Sequence, residues 1–180
     1  MYERIIFAGS GGQGVMTLGK VVARSAMLTD LNCTYLPSYG TEVRGGTANC
    51  AVVVSDDEIF SPLVERADVL FAMNDPSYKR FSPRLKPDGL IVVNASMAEP
   101  TETGENVLAI PATDIANELG DVRVANVVLL GAYNARRKLL DDDLLFGQLS
   151  YAFGGLKGKL LEANKAAYER GAAAASSATP

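Results

Sequence analysis

The stretch of this chain best suited to hold a ligand is Gly9-Ser10-Gly11-Gly12-Gln13-Gly14. It follows Arg4-Ile5-Ile6-Phe7-Ala8, which has the β-branched and aromatic content of a buried strand. It opens a segment, Val15 to Leu28, whose apolar residues at Val15, Leu18, Val22 and Ala26 suit a helix lying on a sheet. Glycines in such a turn accept positive φ and let a ligand approach the backbone, while the first N–H groups of the helix point outward with the positive end of its dipole. Strand, glycine turn and helix together favour an anion site. The alternative is that Gly9, Gly11, Gly12 and Gly14 only permit close packing of strand against helix.

A second cluster, Ser38 to Cys50 (SYGTEVRGGTANC), is the densest run of glycine and polar residues. Ser38, Tyr39, Glu42 and Arg44 are its candidate binding residues. Glu42 and Arg44 form a solvated ion pair in a loop on one reading; on the other, Arg44 meets a ligand anion or a carboxylate of another subunit. A dinucleotide site asks for an acid about 20 residues past the glycines, at the end of the second strand. Here Cys33-Thr34-Tyr35-Leu36 runs into Pro37-Ser38-Tyr39-Gly40, and the nearest acids are Asp30 before it and Glu42 beyond it. Nor does Lys-Ser or Lys-Thr follow the glycines as a phosphate-binding P-loop requires.

The chain has no histidine, which removes Ser-His-Asp and Cys-His catalysis, histidine-ligated metals and an imidazole proton shuttle. Its two cysteines, Cys33 and Cys50, fall in expected strands and are too few for an iron–sulfur cluster or a structural zinc site. A net charge of −4 argues against sequence-independent nucleic-acid binding. The longest apolar stretch, Val124 to Tyr133, is interrupted by Asn126 and too short to span a bilayer, so a cytoplasmic protein with no signal peptide is expected.

The elements that would carry these residues make one α/β domain of 180 residues. Thr47, Asn49, Ala51 and Val53 share one face of a strand, and Ala48, Cys50, Val52 and Val54 the other. The connection from the second strand is too short for a parallel crossover, so these two strands should be antiparallel and the sheet mixed, mostly parallel, in a three-layer arrangement with helices on both faces. Asp56-Asp57-Glu58 reads as a charged turn, and Ser61-Pro62 as a helix start. Val69 to Met73 is a buried strand, followed by a short helix to Phe81 capped by Asp75. Pro87-Asp88-Gly89 reads as a turn before the strand Leu90 to Asn94. Asn74, Asp75 and Asn94-Ala95-Ser96 should face the crevice at the carboxyl ends of the strands. Val107 to Ile110 is a further strand, and a helix follows to Leu119. A helix from Asn126 to Leu139, apolar almost all round at its start, needs a cover on its outer side, from the C-terminal helices or a partner chain. Asp141-Asp142-Asp143 ends one helix and caps the next. A final helix covers Lys159 to Arg170, and residues 171–180 are expected to be a frayed, low-complexity tail beyond a domain of residues 1–170.

GSGGQGV at Gly9 to Val15, PSYGTEVRGGTANC at Pro37 to Cys50 and SDDEIFSPLVERADVLFAMN after it together resemble the γ subunit, or γ domain, of the 2-oxoacid:ferredoxin oxidoreductases, over about residues 3 to 170. RGGTANC and SPLV look most like the 2-oxoglutarate type, then the 2-oxoisovalerate type, then the pyruvate type. The resemblance implies a complex that decarboxylates a 2-oxoacid on thiamine diphosphate and Mg²⁺, passes electrons through iron–sulfur clusters to ferredoxin and loads coenzyme A. It implies α and β subunits, and in some members δ, as partners. This chain lacks the GDG thiamine–magnesium signature, since Gly120-Asp121-Val122 has no third glycine, so no catalytic residue is expected in it and it should not catalyse the reaction alone. By resemblance, Gly9, Gly11, Gly12, Gln13, Gly14, Ser38, Tyr39, Glu42 and Arg44 would serve a coenzyme A phosphate or a subunit interface. An isolated crystal could pair two copies through surfaces meant for partners. A stand-alone nucleotide-binding α/β module is the alternative.

Overall fold

The computed structural model describes residues 1–39, 47–155 and 157–177. Six strands, β1 (Tyr2–Ser10), β2 (Asn32–Tyr39), β3 (Thr47–Ser55), β4 (Ala67–Ala72), β5 (Leu85–Asn94) and β6 (Val107–Ile110), form one sheet in the order β2-β3-β1-β4-β5-β6. β3 runs antiparallel to both of its neighbours, and every other pairing is parallel. The connection between β2 and β3 is too short to cross the sheet, which is why the expected antiparallel pair forms. β3 buries both faces as its alternation implies, with Cys50, Val52 and Val54 in one core and Val53, beside Ala51, in the other.

The two faces are covered unequally. On one lie α1 (Val15–Met27), α3 (Ala112–Glu118), α4 (Ala125–Arg137), α5 (Asp142–Ala152) and α6 (Gly158–Ser177), over the larger core. The other carries α2 (Asp75–Phe81), which buries Tyr78 and Phe81 over Ile6, Leu70 and Ile91. α4 is buried at every position from Ala125 to Asn134, and α6 closes its outer side. The contact is backbone against backbone: a Cβ on Gly131 would overlap the carbonyl of Tyr168, and one on Gly171 the carbonyl of Val128. Lys138, at φ 49°, ends α4 two residues after Arg136 begins its basic last turn.

Two charged networks pin the amino-terminal edge of the sheet. The Tyr133 hydroxyl donates to Glu3 Oε2 at 2.9 Å, and Arg137 Nε lies 3.2 Å from Oε1, tying α4 to β1. Burial pushes the Glu3 carboxyl up, against the Tyr133 hydrogen bond and the Arg137 charge. Asp68 accepts from Arg4 Nε at 2.9 Å and pairs with the Lys86 ammonium. Burial opposes its ionisation, yet these bonds outweigh it and hold the carboxyl below the usual range.

Several expected elements differ. No helix starts at Ser61-Pro62; residues 56–66 run irregularly, because only Ile59 and Val64 turn inward and a helix there would have no apolar face to bury. Pro87-Asp88-Gly89 is not a separate turn but an irregular stretch of β5, where Ala67 pairs with Leu85 and Val69 already with Leu90. The cap of α2 is Asn74, whose Oδ1 accepts from Ser77 N at 3.0 Å, and Asp75 follows it as the first helical residue. The tail is helical to Ser177, since alanine favours helix and Ala175 and Gly171 are packed inward. Asp141 caps α5 as expected, through Leu144 N at 3.0 Å.

Candidate functional site

β1 delivers Ser10 to the carboxyl edge of the sheet, and the chain turns there through Gly11 and Gly12, with Gln13 N donating to Ser10 O at 3.1 Å. Gly12 (φ 94°) and Gly14 (φ 74°) take the left-handed backbone that other residues adopt only with strain. Gly14 is the N-cap of α1 and offers no side chain to it, and the first helical N–H to find an acceptor is that of Leu18, on Gly14 O. The N–H groups of Val15, Met16 and Thr17 therefore lack helical partners at the positive end of the dipole.

The glycines divide by role. A Cβ on Gly9 would press on Gln13 Oε1, Val15 and Met73, and one on Gly14 would overlap the amide of Asn126, so both are needed for packing. Among the described residues, one on Gly12 would meet nothing within 4 Å. Space is open where a ligand would approach.

Gln13 braces the turn. Its Oε1 accepts from Ser10 N at 2.7 Å and from Asn74 Nδ2 at 2.8 Å, and Asn74 Nδ2 also reaches Ser10 Oγ at 2.9 Å. Asn74 thus caps α2 with its oxygen and clamps the glycine turn with its nitrogen. We predict that Asn74→Ala lowers stability by about 1–2 kcal/mol in urea unfolding, from the lost cap and clamp. Asn74→Asp, which keeps the acceptor but not the donor, should recover only part of that.

The turn opens on a cavity of 170 Å³ lined by Gly12, Gln13, Met73, Met97, Thr113, Val122, Arg123, Ala125 and Asn126. The starts of α1, α3 and α4 meet there. Asn94 is wholly buried and tied to α3, with Oδ1 accepting from Thr113 N at 3.2 Å and Nδ2 donating to Thr113 Oγ1 at 2.8 Å. Ser96 Oγ donates to Asp114 at 2.9 Å, and Asp75 pairs with Lys79 at 2.7 Å. The polar residues expected to face the crevice are therefore mostly spent on holding its walls.

Two lining residues were not foreseen. Asn126 is 3% exposed, sits over Gly14, and its Oδ1 has no hydrogen-bond partner among the described residues. The signal in the sequence was one amide inside an apolar run. Arg123, with its side chain 80% exposed, is held at the rim by Asp121, 2.7 Å away. Hydrogen bonds from Arg123 keep the Asp121 carboxyl below its ordinary range.

Of the second cluster, Glu42 and Arg44 lie outside the described residues, as does the side chain of Tyr39. The segment's anchors are at the crevice edge, since Tyr39 pairs with Ala48 and Thr47 pairs with Ser10. Ser38 is not brought to the glycine turn; it lines a groove with Leu36, Asn49 and Leu63.

The thiols do not fit a cluster. Cys33 Sγ lies 3.3 Å from Ala23 O and Cys50 Sγ 3.6 Å from Val15 O, both against α1. In the hairpin register Cys50 faces Pro37, four residues from Cys33, or roughly 13 Å at strand spacing. Burial pushes the Cys50 thiol up to about 12, so the thiolate that a metal needs is disfavoured. Among the described residues no helix is long and apolar enough to cross a membrane.

A family model described as pyruvate ferredoxin/flavodoxin oxidoreductase matches residues 4–174. The ketoisovalerate oxidoreductase subunit VorA of Methanothermobacter thermautotrophicus is 35% identical over 170 residues, covering 94% of this chain and 35% of VorA. The chain thus spans about a third of the length of that relative. Among solved structures, the γ subunit of a keto/oxoacid ferredoxin oxidoreductase from Geobacter sulfurreducens has a TM-score of 0.81 at 26% identity, covering 97% of this chain and 99% of that one. The 2-oxoglutarate:ferredoxin oxidoreductase of Magnetococcus marinus, solved with 2-oxoglutarate, coenzyme A and succinyl-CoA bound, has a TM-score of 0.85 at 28% identity, covering 98% of this chain and 31% of that one. With the expected mixed sheet in place and the match running almost end to end, the chain belongs to the pyruvate ferredoxin/flavodoxin oxidoreductase family.

Proposed function

We propose that this chain is the γ component of a cytoplasmic 2-oxoacid:ferredoxin oxidoreductase, completing the assembly and lending the anion-binding edge of its sheet to coenzyme A. The observation that carries the second half is the open cavity at Gly12, where the N–H groups of α1 that lack helical partners meet the starts of α3 and α4. A phosphate of coenzyme A would accept from those groups, with Arg123 at the rim able to exchange its own aspartate for the ligand's charge. The Magnetococcus protein that contains this fold was solved with coenzyme A and succinyl-CoA bound.

Thiamine diphosphate chemistry, iron–sulfur electron transfer to ferredoxin and the choice of 2-oxoacid fall to α and β partner chains in this reading. The described residues hold no cluster of three or more Cys, Asp and Glu that could ligate a metal. The chain's own part is to bind and orient. Tagged full chain, purified from its native source, should elute with larger chains bearing CxxC clusters and a GDG motif, identified by peptide mass spectrometry. A chain that elutes alone and binds NAD tightly would overturn the proposal in favour of a free nucleotide-binding module.

A further inference from the structure

The thinly covered face of the sheet has a feature that the glycine turn does not explain. α2 lies over β1 and β4, and beside it an open groove of 280 Å³ has Leu36, Ser38, Asn49 and Ala51 along β2 and β3, with Leu63 and Arg84 among its other lining residues. Phe60 is 89% exposed and Leu63 67% exposed, yet Ile59 and Val64, which flank the pair, pack inward. The segment is not a core that failed to close. Its inward positions are filled, and its backbone is fixed by a hydrogen bond from the Arg84 guanidinium to Val64 O and by Ser61 Oγ accepting from Leu63 N at 3.2 Å. Two large apolar side chains held outward within four residues, beside an apolar-floored groove, are the anatomy of an interface core.

We infer that this face, with Phe60 and Leu63 as its anchors, seats the polypeptide that corresponds to the other two thirds of the longer relatives. The inference rests on the subunit reading above. The fold occurs in two contexts: it fills 99% of the Geobacter chain but 31% of the Magnetococcus chain and 35% of VorA. A domain carried in a chain about three times its length has the remainder as a tethered neighbour against which an exposed apolar face can be buried. Where the same fold is its own chain, that contact passes between chains. On the opposite side α6 already closes the apolar α4, and exposed large apolar residues there, such as Tyr151, Phe153 and Leu160, belong to the ends of α5 and α6 rather than to a groove floored by the sheet. β2 and β3 contribute no charged side chain to the groove, whose charged lining residues are Glu65 and Arg84, so the partner should present an apolar ridge with hydrogen-bonding groups for Ser38 and Asn49.

The test uses the full chain and a separately purified partner related to the remaining two thirds of VorA, with affinity read by sedimentation or calorimetry. The double variant Phe60→Ser/Leu63→Ser should melt like the parent, since both side chains are in solvent, and should bind the partner at least tenfold more weakly. Met27→Ser, an exposed apolar residue at the end of α1, should bind as the parent does. Hydrogen exchange at residues 59–64 should slow when the partner is added. If the parent binds and the double variant binds equally well, the surface is wrong while the subunit reading stands. If the variant instead loses only self-association, the occupant is a second copy and the inference falls. If the parent does not bind the partner at all, the subunit reading falls with it.

Discussion

Gly131→Val is expected to unseat α6 and to lower stability by about 3 kcal/mol or more, at the upper end of what overpacking costs. A side chain at Gly131 would enter the Tyr168 carbonyl, and one at Gly171 the Val128 carbonyl, so the obstacle in each case is backbone and cannot rotate away. The helices must separate. Separation exposes the outer side of α4 and breaks the hydrogen bond from the Tyr168 hydroxyl to Asp142 Oδ1, 2.5 Å, and the Arg170–Glu118 pair, 2.6 Å. Urea unfolding should show the lost stability, and hydrogen exchange should quicken first in residues 158–177. Gly171→Val should behave alike. Gly147→Ala in α5, where a Cβ meets no atom of the described residues within 4 Å, should leave stability unchanged or raise it slightly. A Gly131→Val chain with the parent's unfolding midpoint would show that the helices are not in backbone contact.

If the proposed site holds coenzyme A, Gly12→Val should abolish that binding in the assembled complex while leaving the fold intact. The backbone strain of a β-branched residue at φ 94° costs about 1–2 kcal/mol, which a domain of ordinary stability survives. Among the described residues, a Cβ there meets no atom within 4 Å. Gly12→Ala carries most of the same strain with less bulk. The difference between the two variants therefore isolates occupancy of the anion's place from distortion of the turn. Calorimetry with coenzyme A should give at least a tenfold weaker affinity for Gly12→Ala and no measurable binding for Gly12→Val. Full coenzyme A-dependent turnover with valine in place would remove the ligand role and leave the turn as packing alone. Gly14 cannot make this distinction, since any side chain there displaces Asn126.

What could be read from the residues beforehand was local and periodic. The apolar run before Gly9, the glycines and the 3.6-residue repeat after them specify strand, turn and helix without help from elsewhere, and the short link before Thr47 forces β3 to run antiparallel. The misses all involve residues whose local chemistry suits two outcomes. Ser61-Pro62 is a sound helix start, but the chain there crosses a face with only two inward places to fill. Pro87-Asp88-Gly89 has the composition of a turn and serves as an irregularity within β5. Asn74 and Asp75 are equally good caps, and the clamp on Ser10 and Gln13, far away in sequence, decides for Asn74. The alanine-rich tail has too little bulk to order itself, yet it is ordered by the close approach that Gly171 permits on α4. The edge proposed for the ligand was half visible: the glycines announce it, whereas Asn126 and Arg123 reach it only because α4 starts where α1 does.

The cover that α6 provides for α4 also has a consequence for biosynthesis. α4 is complete at Arg137, but the helix that shields its outer side is finished only at Ser177. At roughly 5–20 residues per second, a translating ribosome takes a few seconds over that interval. Until α6 has been made and has folded back, the nascent polypeptide carries an almost wholly apolar rod with one flank bare, which a chaperone would cover.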